Sequence, residues 1–470
     1  MLAIGLHASR RAQSATEFIV AGRRLPLFLC TATIVATWFG GGTMLGASGA
    51  SYDDGLLGVI ADPFGAALAL FLVGLFFARI FRRLKLLTNV DFIDQRYGKT
   101  AATITALTQI VANIGWIGAM LVAFGLVFES LTGTPLEIGI VGGALVVFIY
   151  TMVGGMWAVA LTDSLQMAIV IIGLVILFVV VLVDVGGWST ILPQLPENTF
   201  RLVPLKHDWE HWLNYLRLWF IFGLADVAGQ NLLGRAMAAK SERVAQNSFY
   251  FASFAYFMFG MIPVLLGIIA SVTMPGLPDS ESVVPAMAIE HLHPVAVAVF
   301  VGAILAAIMS SCDSALLACA SLASRNLLRL FVRSPTDRHT LQVARIAIPV
   351  CGITAVGVAL KAQVVFDVMI DANLLTLTAI VAPFFLAVWW KKANRTGALS
   401  AMAVGFSTWL ITRAVAPELP GDMIGLVASL LTMLVVSSLT QNFDPPREVV
   451  DIDGKPLELT NRLGVLTREA

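Results

Sequence analysis

The sequence predicts an all-α polytopic membrane protein. Its core reads as a five-plus-five inverted repeat, with two extra C-terminal helices. Three observations lead there. Of 470 residues, 58% are hydrophobic and only 13% charged, with a mean hydropathy of +0.85; a soluble chain carries about 25% charged residues. Apolar segments recur along the chain, long enough to cross a hydrocarbon core of about 30 Å, which takes roughly 17–25 residues. Two of those segments, five spans apart, are interrupted by glycine where a simple membrane anchor would run through.

The chain opens with a short basic segment, residues 1–24, carrying Arg10, Arg11, Arg23 and Arg24. The apolar run Met1–Leu6 is too short to span and reads as the stump of a longer helix, which leaves an upstream start open. Expected spans follow at 25–50, 57–81, 101–128, 136–155, 164–184, 212–233, 249–273, 293–323, 341–361, 364–389, 397–414 and 422–439. Residues 25–389 form the expected ten-helix transport core. Residues 390–440 hold the two additional helices, and 441–470 a polar tail, read as a loose segment. Basic loops (Arg79, Arg82, Arg83, Lys85; Arg235, Lys240, Arg243; Arg325, Arg329, Arg333, Arg338; Lys391, Lys392, Arg395) alternate with loops holding Asp53, Asp54, Asp279, Glu281, Glu418 and Asp422. The positive-inside rule puts the basic loops and both termini in the cytoplasm of a multi-pass cell (inner) membrane protein. Thirty Lys and Arg balance thirty Asp and Glu, and no basic tract or nucleic-acid motif occurs. The expected partners are therefore a lipid bilayer and a small solute. Cys30, Cys312, Cys319 and Cys351 lie in apolar segments at spacings wrong for zinc, so they read as buried thiols. No nucleophile, base and metal cluster is present, so the chain does not read as an enzyme.

The most informative stretch is Ala303–Leu317. It starts as an apolar helix and turns polar at Ser310, Ser311, Asp313 and Ser314. At 3.6 residues per turn, Ser310, Asp313 and Ser314 share one face and Ser311 lies beside it. A carboxylate at membrane depth costs about 2.5–3.5 kcal/mol and needs a partner. Hard oxygens with one negative charge suit a small hard cation such as Na+. The alternative is that the serines bond back to carbonyls one turn earlier and Asp313 sits at a helix end.

The first interrupted segment reads Ala36-Thr37-Trp38-Phe39-Gly40-Gly41-Gly42-Thr43. Each glycine in a helix centre costs about 1 kcal/mol against alanine. Three in a row suit a helix that unwinds and exposes carbonyls to an ion or ligand, or else close packing through small residues. The second is the sixth span, with Asp226 between Gly223 and Gly229. Asp226 is either a site residue or one half of a buried pair with Arg217, or an inter-helix hydrogen bond.

With these residues in view, the chain resembles the sodium:solute symporter family, whose core is of the leucine-transporter type. Tyr150–Gln166 is similar to the family signature, Ala306–Ser311 to its sodium-site helix, and Asp91–Lys99 to the loop between its second and third core helices. Within the family, Ala36-Thr37-Trp38 and Gly40-Gly41-Gly42 resemble the high-affinity choline transporter branch. The resemblance implies a sodium site made of the carbonyls of Ala36, Phe39 and Ala307 and the hydroxyls of Ser310 and Ser311, with Na+ as coupling ion. It implies a possible second sodium site, or a protonated acid, at Asp163, Asp313 and Ser314, because two close carboxylates cannot both ionise cheaply. It places Trp38 and Trp116 at aromatic substrate positions, where a cation would sit against rings.

The chain departs from that branch at the sixth span, where Gly229 stands in place of the expected ring and Asp226 adds a carboxylate. Trp38, Trp116, Asp226 and Gly229 therefore suit an amine-bearing cation smaller than choline; each tryptophan reads equally as core or interfacial packing. Asp62 and Asp371, near the ends of their spans, would add negative potential at the entrance. The implied activity is sodium-coupled symport of a small organic solute by alternating access. A proton-coupled transporter and a solute-binding membrane sensor remain the alternatives.

Overall fold

The computed structural model describes residues 12–206, 208–361 and 373–457, apart from the side chains of Ser130, Leu131 and Val153. Asp371, the first part of the tenth expected span and the final residues 458–470 lie outside the described residues.

Eight helices among the described residues are long and apolar enough to cross a membrane, and Leu27–Trp38 and Leu136–Met152 are shorter apolar helices. Fewer full-length helices than expected spans are seen because the first and sixth spans are broken, the fourth is the shorter Leu136–Met152 and the tenth lies partly outside the described residues. The first span is Leu27–Trp38 followed by a π turn at Gly42–Gly46 and the helix Ala47–Asp54. The sixth is Trp209–Leu224, a 3-10 turn at Ala225–Ala228, and Gln230–Ala238 beyond an extended Gly229 (φ −74°, ψ 139°). Both breaks fall at the glycines that predict them. A third break was not expected: the second span is interrupted at Asp62 (φ −142°, ψ 119°) before Pro63.

The fourth and fifth spans run as one segment, Leu136–Asp184, joined at Gly155 with φ +56° and ψ −154°. A Cβ there would lie 2.6 Å from the Phe18 carbonyl oxygen. The joint therefore needs glycine both for its backbone angle and for the approach of the short helix Ala15–Val20. That helix buries Phe18, Ile19 and Val20 against Leu136–Asp184.

The first span is enclosed by Glu242–Thr273, Leu136–Asp184 and Pro294–Leu322. The last two helices, Arg395–Val415 and Gly421–Leu439, pack mainly on each other. Lipid-type exposure is plain on the outside. Ile172, Ile176, Val179 and Val183 form an exposed apolar stripe at helical spacing, as do Phe251, Phe254 and Met258.

The basic loops gather on one face. Arg82 donates to the carbonyls of Ala239 and Lys240, Arg83 pairs with Glu242 at 2.7 Å, and Arg325 pairs with Asp91 at 3.1 Å. Asp91 closes a capping box with Thr88 at the start of Asn89–Tyr97. The tail is not loose as far as residue 457. Arg96 donates to the Arg447 carbonyl, and the Val450 N–H donates to Gln95 Oε1 at 3.0 Å. These bonds satisfy buried donors that a free tail would leave open.

Candidate ion and solute site

The break in the first span exposes a carbonyl. The Gly40 N–H turns back to the Trp38 carbonyl at 2.7 Å, so the Ala36 carbonyl loses the donor that a continuous helix would supply. The Ser311 hydroxyl reaches that Ala36 carbonyl at 3.3 Å. Gly40 permits the approach, since a Cβ on it would stand 2.4 Å from Ser311 Oγ. Ala307 lies one turn before Ser310 and Ser311 on the buried face of Pro294–Leu322, and Phe39 caps the first half-helix. The set is carbonyls and hydroxyls, all buried and all hard oxygens, which fits a sodium ion.

The expected second-site residues join this cluster. The Ser310 hydroxyl donates to Asp163 Oδ1 and the Thr33 hydroxyl to Asp163 Oδ2. The Tyr150 hydroxyl donates to Asp313 Oδ2 at 2.8 Å. Ser314 Oγ accepts from Arg235 Nη2 at 2.5 Å, and Arg235 Nη1 donates to the Asn231 carbonyl at 2.6 Å. Arg235 is therefore not a loop residue as the sequence suggested. It is fully buried on Gln230–Ala238 and reaches the cluster through Ser314, whose oxygen also lies 3.4 Å from Asp313 Oδ1. A guanidinium therefore stands beside Ser314, one of the expected second-site residues. Thr33, Tyr150 and Arg235 are the residues that sequence reasoning missed. The Asn231–Arg235 spacing, one helical turn, was the available signal, but the apolar run ends before it.

The solute residues separate into two groups. Trp116, Asp226 and Gly229 line one small cavity of about 20 Å³, together with Gln109, Asn231 and Asn373. The Asp226 carboxylate has no hydrogen bond or ion pair among the described residues. Arg217, its expected alternative partner, pairs instead with Asp422 at 2.5 Å, because the sixth span presents Arg217 to the final helix. Asn373 Nδ2 is buried without a partner among the described residues. Gly229 keeps the site open: a Cβ there would press on Asn231 Oδ1 at 2.4 Å and Asp226 Oδ1 at 3.3 Å.

Trp38 does not line this cavity. It stands edge-on to Tyr256, with ring centres 6.4 Å apart. Asp62 is not at an entrance either. It is buried beside the same tyrosine, because the break at Asp62 turns its carboxylate inward onto Thr43 and Tyr256. The four cysteines are free and buried, as expected.

A bundle whose first and sixth spans are broken, with a buried oxygen cluster between the first and eighth spans and a polar cavity at the break of the sixth, defines a membrane transporter of the leucine-transporter type. The chain belongs to the sodium:solute symporter family, whose model matches residues 18–405. It is a transporter and not an enzyme, and its coupling ion is Na+. Among curated relatives it is 29% identical to the high-affinity choline transporter 1 of Drosophila melanogaster over 431 residues, 87% of this chain and 68% of that one. It is 28% identical to the human high affinity choline transporter 1 over 434 residues, 86% and 73% of the two chains. The sodium/pantothenate symporter of Haemophilus influenzae is 26% identical over 440 residues, 88% and 89%.

In fold, the chain matches a Na+-coupled sialic acid symporter with a TM-score of 0.80 at 21% identity, covering 95% of this chain and 96% of that one. It matches the nucleobase-cation-symport-1 family transporter Mhp1 with a TM-score of 0.62 at 15% identity, covering 91% and 95%.

Proposed function

We propose that this symporter imports a small organic cation carrying an amine. The observation that carries the reading is the cavity at the second break, which Trp116, Gly229 and a half-buried carboxylate without a partner among the described residues, Asp226, line together. A carboxylate without a charge partner favours a cationic guest, and a tryptophan face adds about 2 kcal/mol or more once water is excluded. The choline specificity of several relatives is consistent with a cation, and the missing ring at Gly229 favours one with N–H groups to donate. The pantothenate relative carries a different kind of solute, so kinship alone does not choose.

In the same reading, sodium is held by the carbonyls of Ala36, Phe39 and Ala307 and the hydroxyls of Ser310 and Ser311. Bound sodium supplies the charge that ties the broken first span to the eighth. Asp163, bonded to Ser310, receives the ion on its way to the basic face, and Arg235 keeps Asp313 and Ser314 in place beside that route. Residues 25–389 act as the transport core and 390–440 as an added pair of helices. The basic face and both termini lie in the cytoplasm. Ion and solute each raise the other's affinity by the same factor.

The test is intrinsic tryptophan fluorescence of the purified protein, titrated with organic cations, amino acids, carboxylates and sugars, in sodium and then in potassium. A response to a cation that requires sodium is expected. A sodium-dependent response to an anion or a sugar alone would remove the cation pocket and leave the symporter.

A further inference from the structure

The basic residues that follow the eighth span close around a cavity of about 350 Å³ on the basic face. Arg325, Arg329 and Arg333 reach it from the π turn Ala323–Leu327, the short helix Leu328–Phe331 and the residues just after. Lys99, Ala102 and Thr103 reach it from the first turns of the third span, Lys99–Thr132. Asp91 stands behind and is already engaged. It accepts from Arg325 Nε at 3.1 Å and from Asn326 Nδ2 at 3.3 Å, and lies 3.7 Å from Arg329 Nη1. That pairing fixes the two arginines in place. Asp94 is in the wall itself. Lys99 and Arg333 make no side-chain hydrogen bond or ion pair among the described residues. Lys99, Arg325, Arg329 and Arg333 outweigh Asp91 and Asp94, so the space is net positive and suits an anion.

The cavity also borders apolar surface suited to lipid. Thr103, Leu107 and Val111 follow one another at i, i+4 spacing along the third span, and Leu107 and Val111 are exposed. Leu330, which lines the cavity, is 49% exposed, and Phe331 beside it 84%. From Thr103 to Val111 the helix rises about 12 Å, room for the first part of an acyl chain. We propose that this cavity binds the phosphate of an anionic phospholipid from the leaflet at the basic face, with the acyl chains lying along Leu107 and Val111. Lys99 and Arg333 meet the phosphate with charge that no acid has taken up. Arg325 spends its Nε on Asp91, which leaves its Nη groups to donate to phosphate oxygens. A basic pocket between spans is the general form of an anionic headgroup site. A soluble phosphate would use the same cations and leave the apolar border bare. Arg325 comes directly after Pro294–Leu322, so a bound lipid joins the end of the eighth span to the start of the third.

The experiment is a melting titration of the purified full chain in detergent with phosphatidylglycerol, phosphatidylcholine and glycerol phosphate. A lipid that binds only the folded bundle raises Tm. Phosphatidylglycerol is expected to raise it saturably, phosphatidylcholine and glycerol phosphate to leave it in place, and the rise to shrink with added salt. In Lys99→Gln/Arg333→Gln, the phosphatidylglycerol needed for half the shift is expected to increase about tenfold or more. Both side chains are exposed and unpaired, so the fold does not depend on them. Lys240→Gln/Arg243→Gln removes two exposed charges from the same face outside the cavity, and is expected to match wild type. Asp94→Asn, which takes a negative charge out of the wall, is expected to tighten binding. Equal weakening in the two double variants would mean a general attraction of the face for anionic lipid and would overturn the site. An equal shift with glycerol phosphate would assign the cavity to a soluble phosphate and overturn the lipid. No shift with phosphatidylglycerol in the wild type would overturn the inference outright.

Discussion

At the scale of single residues, the proposed ion site rests on one contact, the Ser311 hydroxyl against the Ala36 carbonyl at 3.3 Å. Removing that hydroxyl takes away a hard-oxygen ligand without opening a large cavity. Ser311→Ala is expected to raise the sodium concentration needed for half-maximal uptake by about tenfold or more, a loss of roughly 1.4 kcal/mol. The melting profile in potassium should stay near wild type, and an unchanged sodium affinity would sink the assignment. Gly40→Ala tests the same contact from the other side. Its Cβ would meet Ser311 Oγ at 2.4 Å, so sodium dependence should again weaken in uptake assays although no ligand atom is lost. Ser310, Ser311 and Asp313 could be read from the sequence because their spacing alone puts them on adjoining helix positions. Arg235 could not, because a basic residue just past an apolar run reads as a loop. Its burial depends on where Gln230–Ala238 packs.

At the scale of elements, the three breaks and the Gly155 joint place the chemistry. Glycine at a helix centre has a local cost, so the first and sixth breaks were visible in the sequence. The break at Asp62 had only the Asp-Pro step to mark it, and its inward turn follows from contacts with Thr43 and Tyr256 on other spans. Gly155 is a sharper test of the joint between the fourth and fifth spans. At φ +56° an alanine is strained, and its Cβ would lie 2.6 Å from the Phe18 carbonyl. Gly155→Ala is expected to cost about 1–3 kcal/mol, seen as a lower melting temperature in detergent. A melting temperature equal to wild type would mean that the joint and Ala15–Val20 can move apart freely.

At the scale of the whole molecule, sodium that binds only the folded bundle must stabilise it. At one hundred times its dissociation constant, the gain is about 2.7 kcal/mol. Thermal melting of the full chain should therefore rise when sodium replaces potassium at constant ionic strength, and the rise should shrink in Ser311→Ala. The same melting temperature in both salts would argue against a preformed sodium site in the resting protein. The exposed apolar stripes on Leu136–Asp184 and Glu242–Thr273 suit a lipid-facing surface.

Composition and the periodic apolar runs were enough to establish a polytopic helical bundle, because burying backbone in lipid allows few other solutions. The glycine interruptions and the serine–aspartate face were likewise enough to mark the two broken spans and the buried polar face of the eighth, because helix strain and helix periodicity are local properties. Which acid meets which partner was not local. Arg217 could have paired with Asp226 and instead meets Asp422; Asp62 could have faced water and instead faces Tyr256; Arg235 could have lain in a loop and instead donates to Ser314. Long side chains find partners on helices far away in the chain, and those pairings follow from how the spans pack together.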